Sequence, residues 1–267
     1  MAGLLSHEIE RYHQEGWVVP EFRLPLARVT ALQDALQTLL ALNPGVRPEK
    51  LVSAHIAGDN GEGVRGVADF LELARDPDIV DLVADVIGND VILWGCHVFC
   101  KPAWEGYETP WHQDGHYWPI RPLATCTAWV ALEPSTAANG CLRVIPGSHR
   151  ERRLHPHLHE DRTDLTLNQR MVDNSFDEAQ AVDIELQPGQ MSLHDVYMIH
   201  GAKPNVSDQR RTGVALRYMP STSHFDRGLR PVHGQSGVPV DFARRPLWLL
   251  RGIDRCGLND FETGHRR

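Results

Sequence analysis

The hydrophobic pattern of this sequence changes near Asp90, and that change limits the folds that the chain can adopt. Before Asp90, apolar residues recur at the three- and four-residue spacing of helices. After it, short apolar runs rich in β-branched and aromatic residues alternate with turn-forming residues, as in VILWGCHVFCKP, LATCTAWVALE, CLRVIP and RRTGVALRYMP. Many short strands separated by turns are typical of a β-sandwich or barrel. The pattern therefore predicts helices first and a β core after them.

Three segments before Asp90 predict helices. Ser6 is expected to cap a helix that runs to about Glu15. The segment LPLARVTALQDALQTLLALNPG carries leucine and valine on one face and predicts a helix that stops at residues 43–45, which are Asn-Pro-Gly. In DPDIVDLVADVIGND, Asp76 is the expected cap and Gly88 the expected stop.

The chain shows no repeats and no low-complexity linker, so the sequence predicts a single domain over residues 1–267. Its expected parts are a mostly helical support at 1–90, a β core at 91–220 and a C-terminal extension at 221–267. We also expect a hairpin around Pro188-Gly189. The polar segment from Arg150 to Gln180 is expected to be a long loop with one helical turn.

Composition narrows the functional classes. The 267 residues are 42% hydrophobic, which suits one sizeable apolar core. A formal net charge of −8 argues against nucleic acid or an anionic membrane as the partner and favours a small-molecule substrate. Five cysteines without a Cys-x-x-Cys pair, and no signal-like or membrane-spanning segment, predict a cytoplasmic protein. The oligomeric state is not indicated.

The stretch WHQDGHYWP carries a candidate metal site. If it is extended, His112 and Asp114 project to one side and Gln113 to the other. A third ligand is expected at the end of another core strand. His200, which follows the apolar run VYMI, is the main candidate, and His194 is its rival. Two histidines and one carboxylate form the facial triad of non-haem Fe(II) oxygenases.

Two other histidine patterns compete with this interpretation. His112 and His116 form His-x-x-x-His, which on a helix would suggest a zinc protease. Gln113 stands where that motif needs glutamate, and Gly115 and Pro119 disfavour a helix. The HPHLH stretch is flanked by charged residues and contains proline, which favours a solvated loop. Zinc structural sites also prefer thiolate ligands, which the set does not offer.

An arginine follows eleven residues beyond His200. Arg211 and Gly213 share a strand face, and the glycine leaves space beside the guanidinium. A planar guanidinium there could hold a carboxylate at two points. That geometry suits a cosubstrate with a carboxylate at each end. Arg210 fits an exposed charge instead.

Taken together, these pieces resemble the phytanoyl-CoA dioxygenase-like branch of the Fe(II)/2-oxoglutarate-dependent oxygenases. They are WHQD, TAWVALEPSTAANGCLRVIPGSH, the His200–Gly201 pair and Arg211, and the resemblance spans about residues 6–220. It implies a mainly β fold. The expected core is a double-stranded β-helix, a cupin-like jelly roll, with the N-terminal helices packed on one sheet.

The resemblance also implies roles for individual residues. By match, His112, Asp114 and His200 are the catalytic residues that bind Fe(II). Arg211 matches the arginine that binds the distal carboxylate of 2-oxoglutarate. Trp129 occupies the place where relatives carry a tryptophan beside this cosubstrate.

Three further positions bear on cofactor binding. Relatives often carry serine or threonine two residues after the distal histidine, where this chain has Ala202. Thr127 is a candidate to supply the missing hydroxyl. His97 is a candidate contact to cosubstrate or substrate, or else a hydrogen-bonded core histidine.

The implied reaction is that of a dioxygenase which consumes O2 and 2-oxoglutarate and releases succinate and CO2. An intact carboxylate at Asp114 favours hydroxylation over halogenation, and the expected target is an unactivated carbon of a small polar metabolite. Desaturation, epimerisation or action on an acyl-CoA are the alternatives, and a non-enzymatic binding module is disfavoured. The expected substrate contacts are Gln113, His116, Tyr117, Trp118, Asn168 and Arg217.

Overall fold

The computed structural model describes residues 2–58, 63–116, 118–172, 176–229 and 240–265. Within these ranges the helices are α1 (Ser6–Glu15), α2 (Leu26–Leu42), α3 (Ala68–Ala74) and α4 (Pro77–Ile87). The strands are β1 (Trp17–Val18), β2 (Leu51–Val52), β3 (Val91–Lys101), β4 (Thr109–His112), β5 (Ile120–Arg121), β6 (Cys126–Ala131), β7 (Leu142–Val144), β8 (His157–His159), β9 (Gln169–Met171), β10 (Val182–Ile184), β11 (Met191–Asp195), β12 (His200–Ala202), β13 (Arg211–Pro220), β14 (His224–Phe225) and β15 (Trp248–Arg251).

Two antiparallel sheets form the core of the described chain. The larger has the order β1-β11-β6-β13-β3-β15, with β2 also paired to β3, and the smaller has the order β10-β7-β12-β4. Apolar side chains from both sheets pack together between them, among them Trp129, Leu142, Val144, Ile184 and Ala215. The mainly β jelly-roll core expected from the sequence is confirmed.

The helices cover the outer face of the larger sheet. Side chains alternate along β13, so Val214 and Leu216 pack with helical residues such as Leu36 and Phe70 in one buried cluster. Burying each such side chain stabilises the fold by about 1.5–3 kcal/mol. The odd-numbered residues of β13 face the other sheet. The expectation that the N-terminal helices pack on one sheet is confirmed, and none of the described helices is long and apolar enough to cross a membrane.

Helix boundaries follow the sequence closely, with one shift. Helix α2 ends at Asn43, whose side-chain amide donates to the Leu39 carbonyl, and Asp76 caps α4 as expected. Helix α1 starts as expected, but its N-cap is Leu5 rather than Ser6. The Leu5 amide donates to Glu8, so a carboxylate one turn into the helix replaces the serine hydroxyl in this role.

Two loop predictions need correction. The chain turns at Gly189, where φ is +86°, but β10 then pairs with β7 and β11 with β6, in different sheets. The expected hairpin around Pro188-Gly189 is therefore wrong, because the turn carries the chain from one sheet to the other. The expected loop from Arg150 to Gln180 also contains β8 and β9, which pair with each other, and ends in the short helical turn Glu178–Gln180.

Candidate active site

Two neighbouring strands of the smaller sheet bring the predicted metal ligands together. His200, the first residue of β12, is the register partner of His112, the last residue of β4. Asp114 follows in a short 3-10 turn. His112 Nε2 lies 3.6 Å from Asp114 Oδ1, and His200 Nε2 lies 3.9 Å from Asp114 Oδ2. All three residues are buried, and among the described residues they are the one His/Cys/Asp/Glu group close enough to share a metal ion.

The local route to this geometry differs from the sequence expectation. The extended segment ends at His112, so a turn rather than strand alternation directs Asp114 toward the histidines. His200 begins its strand instead of ending one, because Val196 to Ile199 form a turn.

Backbone carbonyls orient both histidine rings. His112 Nδ1 lies 2.8 Å from the Pro110 carbonyl oxygen, and His200 Nδ1 lies 3.0 Å from that of Met198. A carbonyl only accepts, so Nδ1 of each ring carries a proton, which leaves Nε2 as the nitrogen that each ring offers beside the Asp114 carboxylate. Burial, followed by the nearby His112, holds the pKa of His200 well below its usual value. This preoriented set of two imidazole nitrogens and one carboxylate fits a divalent cation such as Fe(II).

One end of the cavity beneath the triad is formed by Arg211. Its side chain is 3% exposed, and Nε donates to the Gly140 carbonyl over 3.1 Å, as does Nη2. The guanidinium carbon lies 5.1 Å from the centre of the Trp129 ring. Burial lowers the Arg211 pKa to about 10, which leaves the group charged at neutral pH. Arg211 and Trp129 both line the cavity with the triad.

The space beside Arg211 is used by this tryptophan. A Cβ built at Gly213 would lie 1.8 Å from Trp129 Cζ2, so the glycine gives room to the indole that flanks the guanidinium. The spacing argument from sequence found the free space but not its occupant.

We expect Gly213→Ala to be destabilising, because the new methyl group would force the Trp129 indole and its neighbours to move. Overpacking of this kind costs about 1–3 kcal/mol. Urea unfolding measures the change in the free energy of unfolding. Gly45→Ala is the comparison, because a Cβ there meets nothing within 4 Å although its φ of +89° adds some strain. A Gly213 variant as stable as the wild type would contradict the close approach of the indole to this glycine.

The other end of the cavity contains a row of polar side chains on three adjacent strands. Arg217 is the register partner of Thr127, and Thr127 is the partner of His194. All three line the cavity. Six strand residues separate Arg217 from Arg211, which corresponds to about 20 Å between their Cα atoms at ~3.3 Å per residue. Thr127 therefore lies at the end away from Arg211, which removes it as the hydroxyl that would assist this arginine.

His97 and His194 also face the cavity. His97 stacks on Phe99 at 3.8 Å between ring centres, and its Nε2 lies 3.1 Å from the Glu49 carbonyl oxygen. One nitrogen is thus satisfied by backbone while the ring lines the cavity. The rival ligand His194 lies next to His200, with ring centres 5.1 Å apart, and is not part of the metal-binding group.

The predicted substrate contacts separate into two groups. Arg217 lines the cavity, and its guanidinium carbon lies over the Trp118 ring, 5.0 Å from the ring centre. Gln113 does not reach the cavity, because its amide donates to the Arg153 and Tyr197 carbonyls.

His116 and Asn168 also lie elsewhere. His116 packs against the His157 ring, and Asn168 is exposed. Tyr117 lies outside the described residues. In the HPHLH stretch, which forms strand β8 rather than the expected solvated loop, His157 accepts from the Gln113 backbone amide and His159 pairs with Asp161.

Two further residues lie near Arg211, of which Thr109 was not singled out from sequence. Thr109 is the register partner of Ala202 and lines the cavity, with its hydroxyl bonded to Thr166 at 2.9 Å. Lys101 is buried beside Arg211 and donates to the backbone carbonyls of Ala202 and Lys203, which ties the end of β12 to the larger sheet. Strand register, which the sequence does not contain, identifies both.

Comparison with known proteins places this site in a family. A sequence profile described as phytanoyl-CoA dioxygenase (PhyH) matches residues 12–213, more than half of the chain. The chain belongs to the PhyH family. The probable phytanoyl-CoA dioxygenase of Caenorhabditis elegans is 28% identical over 236 residues, covering 80% of this chain and 75% of that protein.

Other similar proteins agree with the PhyH assignment. The probable alpha-ketoglutarate-dependent hypophosphite dioxygenase of Stutzerimonas stutzeri is 26% identical over 201 residues, covering 72% of this chain and 70% of that protein. The structure of the non-haem monooxygenase ThoJ superposes with a TM-score of 0.71 at 26% identity, covering 94% of this chain and 86% of that one. This PhyH-family chain is a non-haem Fe(II)- and 2-oxoglutarate-dependent dioxygenase.

Proposed function

We propose that this enzyme hydroxylates an unactivated carbon of a small polar metabolite, with His112, Asp114 and His200 as the iron ligands. The convergence of two Nε2 atoms and one carboxylate carries the proposal. Burying these three donor groups without a cation would be costly, and a divalent ion offsets that cost. When bound, Fe(II) with 2-oxoglutarate supplies the oxidant that removes hydrogen from a substrate carbon, with release of succinate and CO2.

The residues of the chain hold and orient the reactants. His112, Asp114 and His200 would hold the metal, which would supply the positions at which cosubstrate and O2 bind. We assign the distal carboxylate of 2-oxoglutarate to Arg211, whose fork is fixed by the Gly140 carbonyl and flanked by Trp129. We assign the hydroxyl that Ala202 lacks to Thr109, because it is the strand neighbour of that residue.

Apolar side chains keep the reacting atoms away from bulk water. The cavity walls include Phe99, Leu142, Leu167 and Ala215, which offer no hydrogen bonds to solvent. Water exclusion strengthens the electrostatic interactions of Arg211 and the triad with their ligands. His97, neutral because burial lowers its pKa to about 3, adds one polar wall without adding charge.

The charge distribution favours a small polar substrate over an acyl-CoA. The relative from Caenorhabditis elegans is named for phytanoyl-CoA, and that substrate class is the alternative. The cationic groups of this site, Arg211 and Arg217, are buried inside the cavity, whereas a CoA moiety needs a basic outer surface for its phosphates. The formal charge of −8 does not favour such a surface.

A substrate screen tests the proposal. Small carboxylates, amino-acid derivatives, phosphonates and acyl-CoAs are supplied with Fe(II), O2 and 2-oxoglutarate, and substrate-stimulated succinate is measured. We expect stimulation by a small polar compound and a product heavier by one oxygen atom. Loss of two hydrogens would indicate desaturation instead, and an unchanged mass with inverted configuration would indicate epimerisation. Stimulation by acyl-CoAs alone would overturn the assignment to small metabolites.

A further inference from the structure

Arg217 is a buried cation whose guanidinium makes no hydrogen bond with the described residues. The residue is only 8% exposed, and its side chain lines the cavity that holds the triad. Within the part of the chain that the structure describes, its guanidinium makes no hydrogen bond and no ion pair, and Nε is fully buried. A guanidinium has five N–H donors, and burying them without acceptors is costly. A ligand that accepts hydrogen bonds in the cavity would satisfy these donors.

The surroundings of Arg217 favour a cation but do not satisfy its donors. Its guanidinium carbon lies 5.0 Å from the ring centre of Trp118 and 5.9 Å from that of Trp94. Aromatic rings attract the positive charge, yet they leave the N–H groups free. These indoles hold the guanidinium in place at the cavity wall.

A second buried arginine lies beside Arg217. A Cβ at Gly95 would lie 3.6 Å from Arg245 Nη1 and 3.7 Å from Arg217 Cδ, so the two side chains flank this glycine. Arg245 is 2% exposed, and its Nη2 donates to Ser53 Oγ over 3.1 Å. Burial, and the charge of Arg245, lower the pKa of Arg217, while the nearby Asp114 opposes the shift.

The neighbours of Arg217 along the sheet also lack partners. Thr127 and His194 are each 2% exposed. Neither Thr127 Oγ1 nor His194 Nδ1 has a hydrogen-bond partner among the described residues. Three adjacent strands thus present a guanidinium, a hydroxyl and an imidazole to one cavity, all available to a ligand.

Asp114 does not fill this role. Its two oxygens lie 3.6 Å and 3.9 Å from the Nε2 atoms of His112 and His200, and no ion pair with Arg217 forms within the described chain. A metal held by the triad would further engage this carboxylate. The cosubstrate is assigned to Arg211, about 20 Å along the strand from Arg217 at ~3.3 Å per residue.

We propose that Arg217, with Thr127 and His194 beside it, forms a subsite for an anionic group of the primary substrate, a carboxylate or a phosphonate. The inference rests on the proposed function for the identity of the cosubstrate end. Binding the anion at this end would hold the opposite part of the substrate near the triad. The two arginines on β13 then bind different anions: Arg211 binds the cosubstrate at one end of the cavity, and Arg217 binds the substrate at the other.

Methylphosphonate is a suitable probe because its neutral dimethyl ester keeps the shape and lacks the charge. Saturation-transfer NMR from the protein to the methyl protons reports binding to the enzyme loaded with Fe(II) and 2-oxoglutarate without O2. We expect transfer to methylphosphonate, little transfer to the ester, and binding weaker by about tenfold or more in Arg217→Gln. Arg217→Lys should restore part of the binding, because the charge returns without the planar fork.

The same samples separate this inference from the proposed function. The weak visible band of 2-oxoglutarate on Fe(II) reports the metal and cosubstrate sites, whereas saturation transfer to the methyl protons reports binding of the probe. Equal transfer to acid and ester, transfer unchanged in Arg217→Gln, or no transfer at all would each overturn the anion subsite. Loss of the visible band in Arg217→Gln would also overturn it, because Arg217 would then act on the metal site. Absence of the band in the wild-type enzyme would overturn the proposed metal and cosubstrate sites instead.

Discussion

Replacing His112 with alanine is expected to abolish the visible band that 2-oxoglutarate gives on Fe(II), and with it substrate-stimulated succinate formation. The variant leaves Asp114 and His200 as the two remaining donors. Mutating groups that merely orient a ligand already costs about 10- to 100-fold in metal affinity or activity, so losing a direct ligand should exceed about a hundredfold. Anaerobic titration with Fe(II), followed by absorbance, measures the affinity.

His159→Ala provides the matched control. Its imidazole side chain is 53% exposed and pairs with Asp161 at 3.0 Å, away from the triad. It removes the same chemical group from the same chain and should leave the band and the turnover unchanged. A His112 variant that retained the band would remove this residue from the metal site, and the proposed mechanism would fail with it.

Replacing Arg211 with glutamine is expected to raise the KM for 2-oxoglutarate by about 30- to 4,000-fold, since truncating one side of a buried charge pair costs about 2–5 kcal/mol. Much of the turnover should return at saturating 2-oxoglutarate, because the metal ligands stay in place. Arg211→Lys should give a KM between those of the wild type and of Arg211→Gln, because lysine keeps the charge and loses the planar fork.

Thr109→Val should produce a smaller rise in the KM for 2-oxoglutarate, of about tenfold, because one hydrogen bond to a charged group is lost. Initial rates of succinate formation measure these values.

Arg210→Gln is the control at the neighbouring position. Arg210 points to the other side of the strand and pairs with Glu133. Its loss should leave the KM for 2-oxoglutarate near the wild-type value. If the Arg210 and Arg211 variants raised this KM equally, the assignment of the distal carboxylate to Arg211 would fail.

The sequence predicted the parts of this site that depend on local pattern and on a family resemblance. The helical periodicity before Asp90 and the strand alternation of β13 place Val214 toward the helices and Arg211 toward the cavity, as the structure shows. The eleven-residue spacing from His200 to Arg211 also indicated that this arginine would face the cosubstrate. These features lie within one element, where the chain itself fixes which face a side chain takes.

What the sequence could not supply is the pairing between distant strands. Thr127 resembled a partner for Arg211 until its register with Arg217 placed it at the opposite end. Gln113 looked like a substrate contact, yet its amide is used by carbonyls from a loop and a turn that are far away in sequence. Thr109 was not predicted as a cosubstrate contact, because its relevance depends on its position beside Ala202 on the neighbouring strand. Each case turns on a long-range contact that local composition does not encode.

The division of labour between the two sheets has a consequence for selectivity. The smaller sheet carries His112 and His200, whereas both cavity arginines belong to β13 of the larger sheet. With the substrate bound at Arg217 as proposed, the distance across the gap between the sheets determines which of its carbon atoms lies near the metal. Leu142 and Ala215 belong to the apolar cluster that fills this gap, so a change of side-chain volume at either position is expected to change the regiochemistry.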